Sequence, residues 1–231
     1  MSFRANLSVS STQHTVELDA VVIAGYTGRD RQAVMEHIEE LAVLGVPAPE
    51  SIPAYWLLPP FLVSTEQSIT VAGPGTSGEA ELCLVVDGDD VFVTLASDHT
   101  DREAETIDIE LSKAICPKPI ATQAWPITEI DGRWDDLVLR SWIEDDGVEV
   151  LYQDGRCSAL VPAPDLLAGI PFERPARFAL LTGTVPVIGG IRPSAHFRAE
   201  LHDPIGRRTI GLDYHVRTLR AAPADQTTGR N

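Results

Sequence analysis

Two apolar runs, residues 82–86 and 91–95, flank Asp87-Gly88. An Asp-Gly pair between two such runs is a strong short-range hairpin signal. A hairpin brings together whatever stands at its open end. Glu79-Ala80-Glu81 opens the first run, and Asp98 follows the second. Successive strand side chains point to opposite faces, so Glu79 and Glu81 share one face. Two carboxylates held side by side repel unless a cation sits between them. Asp98 adds a third, and the three form a candidate oxygen-ligand site for Mg²⁺ or Mn²⁺, with Ca²⁺ also admissible. The plainer reading of the same residues is a solvated strand face followed by a loop acid.

The rest of the chain sets the fold class around that hairpin. Residues 7–23 alternate loosely and end in an apolar run, which predicts strands. Residues 25–30 form a loop with two glycines. Residues 31–44 predict a helix, with Val34, Ile38 and Leu41 at helical spacing. Asp30 is its expected N-cap and Gly45 its C′ glycine. Prolines between residues 47 and 60 make a rigid, non-helical connector. From residue 68 onward the pattern is short strands and turns, including a second acidic turn at residues 144–147, with residues 165–167 the only short helical candidate. The whole predicts a β-rich α+β protein with one well-marked helix near the N-terminus. The expected division is residues 1–65 (N-terminal strands, helix and connector), 66–220 (main domain) and a small polar tail, 221–231.

Composition excludes several function classes. The net charge of −16 argues against a nucleic-acid surface and against an anionic membrane surface, since both need an excess of Lys and Arg. Cys83, Cys116 and Cys157 are far apart and form no CxxC pair, which fits a reduced compartment rather than a disulfide framework or zinc knuckle. Residues 1–18 hold no apolar leader, and no apolar run approaches membrane-spanning length. A soluble cytoplasmic protein is expected.

Other segments offer chemistry, each with an ordinary alternative. His37 and Glu40 are three apart on the expected helix, and a carboxylate beside an imidazole raises its basicity, as in a general base. They could equally belong to an exposed acidic helix face with Glu36 and Glu39. Residues 97–103 are densely polar directly after an apolar strand, the place where sites often lie, or they are a charged turn. His99 follows Asp98, but adjacent strand side chains point apart. The glycine-rich stretch 73–78 lacks the ending of a phosphate loop and leads into a strand. Thr182-Gly183-Thr184 and Gly189-Gly190 read by themselves as turns. Residues 87–90 lack the terminal acid of a calcium loop. No Gly-x-Ser-x-Gly elbow is present.

Taken in order, these segments resemble the fumarylacetoacetate hydrolase superfamily, and more closely a little-characterised bacterial family of unknown function related to it. Glu79-Ala80-Glu81-Leu82 is similar to the superfamily's Glu-x-Glu-Leu strand, whose glutamates bind the divalent metal. Residues 97–103 are similar to its Asn-Asp-x-Ser/Thr-Ala-Arg-Asp segment, whose first Asp is the third ligand and falls on Asp98. Ser112-Lys113 followed by Pro117 and Pro119 resembles the stretch whose Lys faces the substrate. Thr182-Gly183-Thr184 with Gly189 resembles the loop that closes over it. His37-Ile38-Glu39-Glu40 resembles the His-x-x-Glu pair of a mobile lid that activates water.

The resemblance implies a mixed β-roll or sandwich with a helical lid, and metal ligands Glu79, Glu81 and Asp98. It implies catalytic residues His37, Glu40 and Lys113, and substrate-binding residues Thr182, Gly183 and Thr184. Arg102 joins that last set and is also expected to partner the acids around Asp98. The implied activity is a Mg²⁺- or Mn²⁺-dependent C–C hydrolase acting on a small oxo acid, of acylpyruvate or 1,3-dioxo type, through a metal-stabilised enolate, in a homodimer. Isomerisation, decarboxylation, dehydration or a non-catalytic binding role are the alternatives. The sequence departs from the superfamily in three ways. Only 16 residues separate Glu81 from Asp98, as if a helical excursion were deleted. Leu58 stands where many members have a substrate-facing Lys. Extra residues lie between Gly25 and His37.

Overall fold

In the computed structural model the chain is described over residues 2–43 and 45–219, without the side chains of His37 and Leu41. The expected tail, 221–231, lies outside the described residues. The elements run β1 (Phe3–Val9), β2 (Thr12–Leu18), β3 (Ala20–Gly25), α1 (Arg31–Val43), β4 (Ala54–Leu58), β5 (Val63–Ser64), β6 (Ser68–Val71), β7 (Thr76–Ser77), β8 (Ala80–Asp87), β9 (Asp90–Ser97) and β10 (Thr100–Asp101). They continue α2 (Arg102–Glu105), α3 (Ile109–Ala114), β11 (Lys118–Pro119), β12 (Gln123–Pro126), β13 (Val138–Asp145), β14 (Val148–Arg156), α4 (Ala163–Ala168), β15 (Arg177–Thr184), β16 (His196–Asp203) and β17 (Arg208–Thr218).

Strands β8 and β15 are nearly continuous apolar runs, and their burial patterns explain why: almost every residue is buried, on both faces. They lie inside an eight-stranded mixed sheet of order β2-β1-β12-β9-β8-β15-β3-β4. One face packs Leu82, Leu84, Leu95 and Leu180 against Leu139, Phe197, Leu201 and Tyr214 of a second sheet, of order β14-β13-β16-β17-β6. The other face buries Cys83, Val85 and Leu181 with Leu7, Val16 and Leu18 from the N-terminal hairpin. The large sheet therefore curls so that its own end strands cover it. The N-terminal strands are part of this sheet, with β3 parallel to β15. The architecture is the expected strand-rich α+β fold.

Local chemistry places α1 where the sequence predicts it. Asp30 Oδ1 accepts hydrogen bonds from the Gln32 and Ala33 N–H groups at 2.9 and 3.2 Å, the N-cap geometry. Gly45 has φ +93, the left-handed C′ conformation. Val34 and Ile38 are buried. The helix is present as expected. The short helix expected at residues 165–167 forms as α4, and two further helices correct the expectation that it is the only one after residue 68. α2 and α3 have four and six residues, too short to leave a helical period, but each has an Asp cap: Asp101 accepts from Glu103 and Ala104, and Asp108 from Leu111. None of the described helices is long and apolar enough to cross a membrane.

Candidate active site

The site grows from one hairpin register. The turn between β8 and β9 holds two residues, because Asp87 pairs with Asp90, and the ladder then sets Ala80 opposite Ser97. One rung further the Asp98 N–H donates to the Glu79 carbonyl at 3.0 Å. Glu79 and Asp98 are thus cross-strand neighbours, with Glu81 two residues along on the same face. Carboxylate oxygens from all three lie within 4.8 Å of one another. The three residues that the sequence singled out as metal ligands are brought together.

Their surroundings differ. Asp98 is buried and shared by two lysines, Lys113 Nζ at 2.5 Å on Oδ2 and Lys118 Nζ at 3.1 Å on Oδ1. Burial alone raises a carboxyl, but here Lys113 and Lys118 outweigh it and hold Asp98 far below the usual carboxylate range. Glu81 has no such partner. Burial pushes its carboxyl well above the ordinary value, and the charges of Asp98 and Glu79 push the same way. The charge of Lys113 and, less strongly, the Gly183 N–H donating to Glu81 Oε2 at 2.8 Å offset only part of this. Glu79 is an ion-pair partner of Arg102, whose Nη2 stands 3.0 Å from Glu79 Oε1. A buried carboxylate crowded by two others, with hard oxygen donors only, fits Mg²⁺ or Mn²⁺. Asp98 keeps lone pairs beyond those its lysines use.

A bulge in β15 completes the wall. Leu181 pairs with Cys83 but Thr184 with Glu81, so one extra residue is accommodated at Thr182 and Gly183. Gly183 takes φ +88, and a Cβ there would stand 2.0 Å from Thr27 Oγ1. The bulge aims the Gly183 N–H at Glu81. The Thr182 hydroxyl donates to the Leu82 carbonyl at 2.9 Å and is buried within the sheet. Thr184 Oγ1 donates to the Ala80 carbonyl at 2.6 Å.

These residues open onto a cavity of about 800 Å³. Glu40, Glu79, Glu81, Asp98, Arg102, Lys113, Gly183 and Thr184 line it; Thr182 does not. Lys113, expected to face the substrate, does line the cavity, but its ammonium is bound to Asp98 and stands 5.5 Å from the Trp56 ring centroid. His37 is on α1, and its side chain lies outside the described residues. His99 is turned away from the triad, its ring nitrogens meeting Tyr214 OH at 3.0 Å and Thr76 Oγ1 at 2.9 Å. Leu58 is buried in the second core cluster.

Sequence reasoning missed four residues of this site. Lys118 is wholly buried between two prolines, and its only signal was a charge in an otherwise rigid apolar stretch. Trp56 and Glu105 line the cavity. Tyr26 does too, with φ +56, a left-handed conformation that non-glycine residues seldom adopt outside constrained positions.

Residues 24–214 match the family described as protein of unknown function DUF2848. The chain belongs to that family. No curated protein matches it. Among solved structures, this DUF2848 protein is similar to the fumarylpyruvate hydrolase of Pseudomonas aeruginosa in complex with Mn²⁺ and pyruvate, with 16% identity over 94% of this chain and 97% of that one and a TM-score of 0.64. A yeast fumarylacetoacetate hydrolase family protein matches at 16% identity over 87% of this chain and 94% of that one, TM-score 0.61. A 2-keto-3-deoxyarabinonate dehydratase matches at 15% identity over 88% and 74%, TM-score 0.65. The DUF2848 chain thus has the fold of the fumarylacetoacetate hydrolase family.

Proposed function

We propose that this DUF2848 protein is a divalent-metal-dependent enzyme of small oxo acids, a hydrolase that cleaves a C–C bond of an acylpyruvate or 1,3-dioxo acid. The observation that supports this most is the convergence of Glu79, Glu81 and Asp98 oxygens within 4.8 Å on the wall of a cavity large enough for such a substrate. Glu79, Glu81 and Asp98 would hold Mg²⁺ or Mn²⁺, which supplies Lewis acidity toward adjacent oxo and carboxylate oxygens. Lys113 and Lys118 favour the ionised form of Asp98, and Arg102 pairs with Glu79. Lys113 sits where its charge reaches a substrate oxyanion while it stays anchored on Asp98. Gly183 and Thr184 frame the substrate's carboxylate end. His37, with Glu40 one helical turn on, is the base that takes a proton from water. A homodimer in the cytoplasm belongs to the same reading.

The same ligands would equally serve isomerisation, decarboxylation or dehydration of a similar oxo acid, and the dehydratase among the structural neighbours keeps that reading alongside hydrolysis. A member that binds without catalysis is the further alternative. The decisive experiment pairs Mn²⁺ calorimetry with a screen of acylpyruvates read by loss of enol absorbance. Glu81→Ala is expected to abolish Mn²⁺ binding with the fold intact; undiminished affinity overturns the site. Product analysis separates cleavage from rearrangement.

A further inference from the structure

The cavity is much larger than an oxo-acid headgroup needs, and its lining is uneven. Its apolar walls include Val34, Trp56, Leu160, Pro186, Val187 and Ile191. Among the described residues, three cations line it, and each is already neutralised. Arg29 places both terminal nitrogens on Asp135 at 2.9 and 2.6 Å and its Nε on the Leu160 carbonyl at 3.0 Å. Arg102 lies between Glu79 at 3.0 Å and Glu105 at 2.9 Å. Lys113 is held by Asp98 at 2.5 Å. Against these stand six lining carboxylates, Asp30, Glu40, Glu79, Glu81, Asp98 and Glu105. Arg102 Nη2, the terminal nitrogen on Glu79, is buried at the triad itself.

We propose that the substrate is a monoacid: one carboxylate at its oxo-acid end, seated at the triad, and an uncharged alkyl or aryl tail along the apolar wall. This rests on the oxo-acid reading above and narrows it. A diacid would bring its second carboxylate into a cavity whose lining cations are already neutralised, losing its hydration without compensation. An apolar tail gains from the same walls by leaving water.

The test is calorimetric binding to the Mn²⁺-loaded protein, with pyruvate, 2-oxooctanoate, phenylpyruvate and 2-oxoglutarate as probes. The two tailed monoacids are expected to bind at least ~10²-fold more tightly than 2-oxoglutarate. Tighter or equal binding of 2-oxoglutarate overturns the proposal. Pyruvate binding with no gain from a tail overturns it while leaving the oxo-acid reading intact; no binding of any probe by protein that does bind Mn²⁺ overturns both. Ile191 is 45% exposed, so Ile191→Arg leaves the fold undisturbed and supplies the missing cation. It is expected to shift the ratio toward 2-oxoglutarate by ~10-fold or more; an unchanged ratio overturns the placement of the tail.

Discussion

Gln153 and Thr184 are joined side chain to side chain, the amide Nε2 donating to the hydroxyl across 2.6 Å. The bond is one edge of a closed ring. Thr184 Oγ1 donates to the Ala80 carbonyl at 2.6 Å, and the Ala80 N–H donates to Gln153 Oε1 at 3.0 Å. Ser141 and the Val185 carbonyl take the remaining capacity of the amide. Ala80 is the residue between the two glutamates, so a fully buried Gln fixes both the strand that presents them and the bulged strand facing them. Gln153→Leu strands the Ala80 N–H and the Ser141 hydroxyl in the core. It is expected to lower stability by about 2–4 kcal/mol in urea denaturation and to weaken Mn²⁺ binding. An unchanged urea midpoint would remove Gln153 from this role.

Gly183 cannot be replaced without cost. Alanine there meets a φ of +88 and a Cβ 2.0 Å from Thr27 Oγ1. Gly183→Ala is expected to destabilise by about 2–4 kcal/mol, combining backbone strain with overpacking. Thr27→Ala in the same chain relieves the contact but not the φ, so a double-mutant cycle by thermal unfolding should recover part of the loss. Strict additivity would show that the two residues do not press on each other.

Asp203 gives the fold an acid-sensitive clasp outside the carboxylate triad. Its carboxylate accepts from the Gly206 N–H at 2.8 Å and pairs with Arg208 at 3.1 Å and Arg133 at 3.3 Å. Burial opposes its ionisation, but the Gly206 bond and the two arginines hold its carboxyl below the ordinary value. A depressed folded pKa means that the native state prefers the charged form. Its stabilisation is complete above the unfolded carboxyl pKa, about 3.9, and disappears as pH falls through the folded value. Asp203→Asn should therefore cost about 1–3 kcal/mol at pH 7, with the gap to wild type closing below pH 3 in urea titrations. A gap independent of pH would refute this.

The three cysteines are free and buried. Burial raises the Cys116 thiol to about 11 and the Cys157 thiol to about 12, and raises Cys83 as well. The thiolate is the reactive species. Native protein at pH 8 should leave all three thiols unreacted toward an aromatic disulfide reagent over minutes, and urea should release all three. Rapid titration of any one in the native state would contradict the burial.

What the sequence reveals here is what neighbours in the chain decide. The Asp87-Gly88 turn, the Asp30 cap and the Gly45 terminus are written in local residues, and the turn suffices to set Glu79 opposite Asp98. α2 and α3 escaped because four and six residues give no period to read, and the Asp101 and Asp108 caps emerge only in the structure. Lys118 and Gln153 escaped for a different reason. Each acts through partners 20 or more residues away in sequence, Asp98 for the lysine and Ala80 and Thr184 for the amide, and no spacing rule reaches across separate strands. The pairing of Lys113 with Asp98 belongs to the same class: the sequence showed both residues, and only the fold showed that they meet.

The two-residue turn at Gly88-Asp89 has a consequence for how the protein tolerates change. It lies at the far end of an arm of eight-residue strands, roughly 26 Å from the carboxylates at about 3.3 Å per residue. Gly88 and Asp89 are exposed, and nothing stands within 4 Å of where a Gly88 side chain would begin. An inserted peptide at the turn lengthens the arm where nothing is measured from it. A single residue added within either strand turns every side chain beyond it to the opposite face and separates Glu79 from Asp98. The hairpin behaves as a gauge read only at its open end, and its closed end is the natural junction for a fused reporter or a second domain.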